Sequence, residues 1–252
     1  MLFVKKVLRR VRDFTPSRVR HVIHRAGLFF GEPPLPSHRG TFLYLKSWGL
    51  NPQNVVDVGA YHGEWARSFR EVFPESDILM VEGQAGKTPK LEKTCRELAG
   101  RIDFEIGLLG ANDGEKVKFT EMETGSSVLE ENSSFWRSYS ERELTTLDTL
   151  LSRRENNRKI DFLKLDVQGY EIQVLKGAES ALQRTEFVLL EASLIPVNTG
   201  CPLILEVLNF MADRGFLLLD FCSQIRRADK ALWQTDLLFI SKSSTFLPQP
   251  HF

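Results

Sequence analysis

Between Asn54 and Ile240 the chain alternates short apolar runs with longer amphipathic stretches. The runs Asn54–Val58, Asp77–Val81, Ile102–Ile106, Ile160–Leu165, Phe187–Leu190, Phe216–Phe221 and Asp236–Ile240 predict strands. The central runs lack sustained apolar–polar alternation, which marks strands buried on both faces. Gly63–Phe73 (stopped by Pro74), Leu91–Leu98, Gly169–Leu182 and Leu203–Arg214 predict the intervening helices. Strands alternating with helices imply an α/β, Rossmann-like architecture: a mostly parallel, seven-stranded sheet with helices on both faces. The segment 111–151 breaks this rhythm. It carries a hairpin signal around Lys116–Phe119, the run Gly125-Ser126-Ser127 and the aromatic residues Phe135, Trp136 and Tyr139. Such an insertion either forms a lid or wall for a substrate or simply extends the sheet.

Before Asn54 the pattern changes. Residues 1–50 predict a basic N-terminal helical arm and a proline-rich linker, and residues 51–252 the main domain. Val4, Val7, Leu8 and Val11 recur at helical spacing, with Lys5, Lys6, Arg9, Arg10 and Arg12 between them. A second short helix, 17–26, leads to the linker Gly31–Ser37, whose prolines hold an extended chain. A further helix places Phe42, Leu45 and Trp48 inward and ends at Gly49. The arm has three readings: it packs on the domain, pairs with a second copy in a homodimer, or lies on an anionic membrane surface.

Charge and composition narrow the function. Thirty-three basic side chains balance 33 acidic ones in 252 residues, so no global basic footprint for nucleic acid exists. No apolar run approaches the roughly 20 residues that span a bilayer. Cys95, Cys201 and Cys222 have neither paired nor metal-knuckle spacing, consistent with a reducing, cytoplasmic setting.

The chemistry-bearing residues fall on one edge. Asp57, Glu82, Asp166 and Glu191 each close a predicted strand at its carboxyl end, where open α/β sheets bind ligands. Gly59 and Gly63 bracket a tight strand-to-helix turn. Glu82, at the next strand end, is placed to accept hydrogen bonds from both hydroxyls of a ribose. A dinucleotide reader needs GxGxxG, whereas this turn reads Asp57-Val58-Gly59-Ala60-Tyr61-His62-Gly63. An acid before the first glycine repels a pyrophosphate but suits the ammonium and sulfonium of S-adenosyl-L-methionine. That donor is therefore favoured over a nicotinamide nucleotide, which would make the chain an oxidoreductase. A third reading is a cofactor-binding scaffold without catalysis.

Asp166 is the first choice of general base, against a plain helix-capping role. Gln168 orients a hydroxyl, since an amide both donates and accepts. Glu171 either joins the site or merely complements the dipole of its helix. His62 is a turn residue before it is a base, and Glu191 supports from the fifth strand. Asp166, Gln168 and Glu191 make a weak set for a hard cation, so no metal is expected.

Longer segments resemble the FkbM family of methyltransferases. These are VVDVGAYHGEWA, LMVEGQ, FEIGLLGANDGEKVKF, GSSVL, TTLDTLL, IDFLKLDVQGYEIQVLKGAE, EFVLLEAS and DLLFI, in that order between about Asn54 and Ser241. The resemblance implies a class I methyltransferase fold. It implies that Asp57, Gly59 and Gly63 hold the methionine part of the donor and that Ala60 and Tyr61 line it. Glu82 would bind the ribose, Gly107 and Leu108 would border the adenine, and Asp166, Val167 and Gln168 would face the methyl group. The implied acceptor is a hydroxyl of a saccharide or small-molecule natural product. Many relatives carry glutamate where this chain has Gln168.

Overall fold

The computed structural model describes residues 36–248 apart from 99, 122–125, 130–137 and 197. The helices expected in the basic arm, together with Gly125, Phe135 and Trp136, lie outside the described residues. The described part forms one compact unit, Pro36–Leu247.

It opens with α1 (His38–Ser47), capped by Ser37, whose hydroxyl accepts from the Gly40 amide at 3.1 Å. The strands β1 (Asn54–Val58), β2 (Asp77–Glu82) and β3 (Ile102–Ile106) follow, separated by α2 (Glu64–Val72) and α3 (Thr88–Glu97). After a two-residue strand β4 (Leu108–Leu109) come β5 (Lys116–Glu121), β6 (Ser138–Thr145) and α4 (Leu147–Arg153). The second half holds β7 (Ile160–Leu165), α5 (Glu171–Lys176), α6 (Glu179–Gln183), β8 (Thr185–Ser193) and α7 (Ile204–Asp213). It ends with β9 (Phe216–Phe221), β10 (Ile225–Arg226) and β11 (Leu232–Ser241).

The main sheet runs β10-β11-β8-β7-β1-β2-β3, with β9 also on β11. It has eight strands rather than the expected seven, because a two-residue strand after β9 pairs along β11. The neighbours β3-β2-β1-β7-β8 are parallel and β11 is antiparallel to β8. The chain leaves β1 toward β2 and returns on its other side at β7, which opens a crevice at their carboxyl ends.

Alternate residues of each central strand face opposite layers. Val55, Ile78, Met80, Phe162 and Phe187 pack with Phe42, Trp65, Phe69 and Leu91 from α1, α2 and α3. Val56, Val58, Leu163, Val188 and Leu190 pack with Leu147, Val174, Leu182 and Met211 from α4 to α7. Both faces are thus covered, as near-continuous apolar strands require. The helix His38–Ser47, which the sequence groups with the arm, sits in the first layer, with Phe42 and Phe69 ring centroids 4.9 Å apart.

Two features differ from expectation. The insertion does not extend the main sheet. Its strands β5 and β6 join β4, which precedes it, in a separate three-stranded sheet of order β4-β6-β5. The helix expected over 169–182 breaks between α5 and α6 at Gly177, where a Cβ would lie 2.1 Å from the Gly110 carbonyl oxygen. Close approach of two backbones, rather than local propensity, interrupts the helix. Among the described residues no helix is long and apolar enough to cross a membrane.

Candidate active site

A cavity of about 480 Å³ opens at the carboxyl edge of β1, β2 and β7, within the range of small-molecule sites. Its first wall is the turn after β1. Gly59 donates to the Val81 carbonyl at 2.9 Å and has φ +75°; a Cβ there would lie 1.8 Å from the Asp166 carbonyl oxygen. Only glycine fits. Gly63, at φ +83°, begins α2 without a side-chain cap. That leaves first-turn amides of α2 open to a ligand. Tyr61 takes the left-handed conformation at φ 51° and stacks on His62, with centroids 3.7 Å apart.

Glu82 is buried and held by the backbone. Its Oε2 accepts from Tyr61 N and its Oε1 from Gln84 N, both at 2.8 Å. Each oxygen keeps a second lone pair for a ligand. Burial pushes the Glu82 carboxyl above its ordinary value, against the pull of those amides. Gly107 and Leu108 complete this side.

The second wall is the segment after β7. Asp166 is partly open and accepts from Gln168 Nε2 at 2.8 Å. Gln168 takes φ 56°, and its carbonyl accepts from Ser127 Oγ at 3.0 Å and from Asn198 Nδ2 at 2.6 Å. Val167 lines the cavity beside them, and the insertion contributes Phe119, Ser126, Ser127 and Val128.

Two expected residues stand behind these walls. Asp57 is fully buried and does not line the cavity. Glu171 is also buried away from it; its Oε1 accepts from Val167 N at 2.9 Å and Gly169 N at 3.2 Å. Burial raises the Glu171 carboxyl to about 7, although those amides oppose the rise. It staples the loop that presents Asp166 and Gln168. Glu191 is likewise raised by burial and by Asp166, and accepts from Gln234 Nε2 at 2.6 Å.

The family follows from comparison. The FkbM methyltransferase domain model matches residues 57–218. This chain belongs to the FkbM methyltransferase family. No curated protein matches it. An FkbM methyltransferase from Methylobacillus flagellatus KT is similar in fold, with 18% identity, a TM-score of 0.51, and coverage of 81% of this chain and 48% of that one. This chain therefore spans about half the length of that relative. Two Burkholderia thailandensis structures give lower scores. An O-methyltransferase family protein has 12% identity, TM-score 0.48, and coverage of 81% and 55%. A 1,6-didemethyltoxoflavin-N1-methyltransferase with S-adenosylhomocysteine bound has 12% identity, TM-score 0.47, and coverage of 81% and 78%.

Three polar residues of this FkbM-family chain escape a reading of the sequence. Lys164 is buried in β7, with Nζ 3.0 Å from Asp57 Oδ1, 2.9 Å from the Gly59 carbonyl and 3.8 Å from Asp166 Oδ2. The ion pair is close but not directed as a hydrogen bond to either Asp57 oxygen. Burial alone would lower the Lys164 ammonium, yet Asp57 and Asp166 outweigh it and raise it. Burial pushes the Asp57 carboxyl up while Lys164 opposes. The lysine's elevation governs the pair, because every neighbour it meets is an acceptor. A lysine within the apolar run Phe162–Leu165 was the available signal. The other two, His38 and Asp236, line the cavity from α1 and β11.

Proposed function

We propose that this chain is an S-adenosyl-L-methionine-dependent O-methyltransferase acting on a hydroxyl of a saccharide or small-molecule natural product. The observation that carries the reading is the charge of the cavity. Four carboxylates line it, from Glu64, Glu82, Asp166 and Asp236, and its lysine, Lys164, is already engaged by Asp57. A pyrophosphate would meet those carboxylates, whereas a sulfonium and an ammonium are attracted to them. This disfavours the nicotinamide alternative.

The residues present fit the methyl donor. Glu82, with one amide already on each oxygen, offers its remaining lone pairs to a ribose. Gly59, Ala60 and Tyr61 line the cavity, and Gly59 packs so closely on the Asp166 carbonyl that no Cβ fits there. The uncapped start of α2 suits the donor's carboxylate. Gly107 and Leu108 border the adenine, and Gly63 turns the chain into α2 without touching the ligand. S-adenosylmethionine supplies a methyl group activated by a positive sulfur. Asp166 and Gln168 orient the acceptor hydroxyl, and Val167 packs beside them. Lys164, at the floor of the cavity, and Asp57 behind it fix the Gly59 turn against the end of β7. Positioning of this kind is the larger share of catalysis for a displacement.

Calorimetric titration of the purified chain with S-adenosylhomocysteine and with NAD tests the reading. Saturable binding of the former alone is expected. Binding of NAD in its place would overturn the proposal.

A further inference from the structure

The cavity contains one pair that neither the glycine turn nor the segment after β7 explains. His38 stands at the start of α1 and Asp236 in β11, 198 residues apart, yet His38 Nε2 lies 2.8 Å from Asp236 Oδ2. The imidazole is about one-third exposed, at 31%, while Asp236 is at 16%. Phe42 flanks the ring with centroids 6.1 Å apart, and the Asp236 backbone is pinned by its N–H to Ser223 Oγ at 3.0 Å. Burial alone would raise the Asp236 carboxyl, but the hydrogen bonds from His38 and Ser223 and the His38 charge hold it below its ordinary value. An ionised carboxylate only accepts, so the proton of this bond belongs to Nε2, and the neutral form of the ring then carries its free lone pair on Nδ1. A carboxylate that fixes an imidazole tautomer in this way is a recurring arrangement for proton removal.

Asp166 is less suited to that task. Its Oδ1 already accepts from Gln168, and its Oδ2 lies 3.8 Å from the Lys164 ammonium.

We propose that His38, oriented by Asp236, is the general base for the acceptor hydroxyl, and that the acceptor is uncharged rather than phosphorylated. The inference rests on the methyltransferase reading above. The hydroxyl proton passes to His38 Nδ1 as the acceptor oxygen forms its bond to the methyl carbon; the carbon–sulfur bond breaks, and its electron pair stays on sulfur. The positive charge of the donor thus ends on the imidazolium, which Asp236 neutralises. The carboxylates that line the cavity accept hydrogen bonds from further hydroxyls and repel a phosphate on the acceptor.

The test uses His38→Gln and Asp236→Asn in the full chain, with three readouts. S-adenosylhomocysteine affinity is measured by calorimetry. Acylation of His38 by diethylpyrocarbonate is followed by peptide mass spectrometry. Transfer of labelled methyl is measured to glycerol, methyl glycosides and catechol, against glycerol phosphate and glucose 6-phosphate. Each variant is expected to hold the thioether product within about threefold of the unmodified chain and to lose transfer by about 100-fold or more. Acylation of His38 should slow in Asp236→Asn and persist when S-adenosylhomocysteine is bound. Equal loss of product affinity and of transfer makes the pair a donor-binding element and overturns the proposal. So does an inert His38, undiminished transfer in His38→Gln, or a preference for the phosphorylated acceptors. If the product analogue binds yet no uncharged acceptor is methylated, the acceptor assignment falls while the donor reading stands. If the product analogue does not bind the unmodified chain, the methyltransferase reading itself falls.

Discussion

The two walls of the cavity hold their carboxylates by different means. On the β1–β2 wall, Glu82 is fixed by the amides of Tyr61 and Gln84. On the β7–β11 wall, Asp166 is held by the Gln168 side chain and Asp236 by His38. Backbone amides cannot be exchanged by mutation, so the first wall is preorganised for one ligand. Side-chain partners can be exchanged singly, so under the proposed function the second wall is where chemistry and acceptor choice would be set. Between them stands Lys164, which touches both.

The comparison breaks most severely at that lysine. Lys164→Met leaves Asp57 buried without a counter-charge and is expected to destabilise the fold by about 3–5 kcal/mol, measured by chemical denaturation. Adding Asp57→Asn should restore a large part of the loss. An additive double variant would show that the two do not act as a pair.

Next in size is a pH effect on the second wall. Glu171 titrates at about 7 in the fold against an ordinary 4.5, so the native state holds its proton more tightly than the unfolded chain. Its contribution is complete below pH 4.5 and is lost as pH rises through 7, by about 3 kcal/mol at most. Glu171→Gln should remove this part of the stability decline between pH 4.5 and 8, and an unchanged profile would count against the loop staple.

Glu82→Gln sharpens the comparison on the first wall. Loss of one charged acceptor should weaken S-adenosylhomocysteine about tenfold by calorimetry. Smallest is Ser37→Ala, which removes the α1 cap and should cost about 1 kcal/mol in thermal unfolding. Because α1 carries His38, its effect on methyl transfer should exceed its effect on product affinity.

What could be read from the sequence follows the same division. The strands β1 and β7 coincide with their apolar runs, since burial on both faces leaves a continuous hydrophobic signal, and the runs of the more exposed β3 and β9 coincide as well. Along β11 the apolar run shows only Asp236–Ile240, because Gln234 and Thr235 interrupt a strand that starts at Leu232. Gly59 and Glu82 were legible because turn chemistry and strand ends are local signals. Lys164 was not, because its partner Asp57 lies far off in sequence and pairs with it across neighbouring strands. His38 and Asp236 were hidden for the same reason, at a separation of 198 residues. Eight strands instead of seven, and a helix broken at Gly177, reflect tertiary contacts that no local pattern encodes.

The contact that breaks that helix also bears on how such a scaffold can be rebuilt. A Cβ at Gly177 would strike Gly110, and a Cβ at Gly110 would come within 2.4 Å of Leu144 in β6. Gly110 follows β4, where the chain enters the insertion, and β6 is the strand that brings it back beside β4. Exit, return and helix break therefore behave as a keyed joint. Transplanting a different 111–145 segment to retune the acceptor succeeds only when the graft brings a residue that fits against both glycines, so insertion and scaffold must change together.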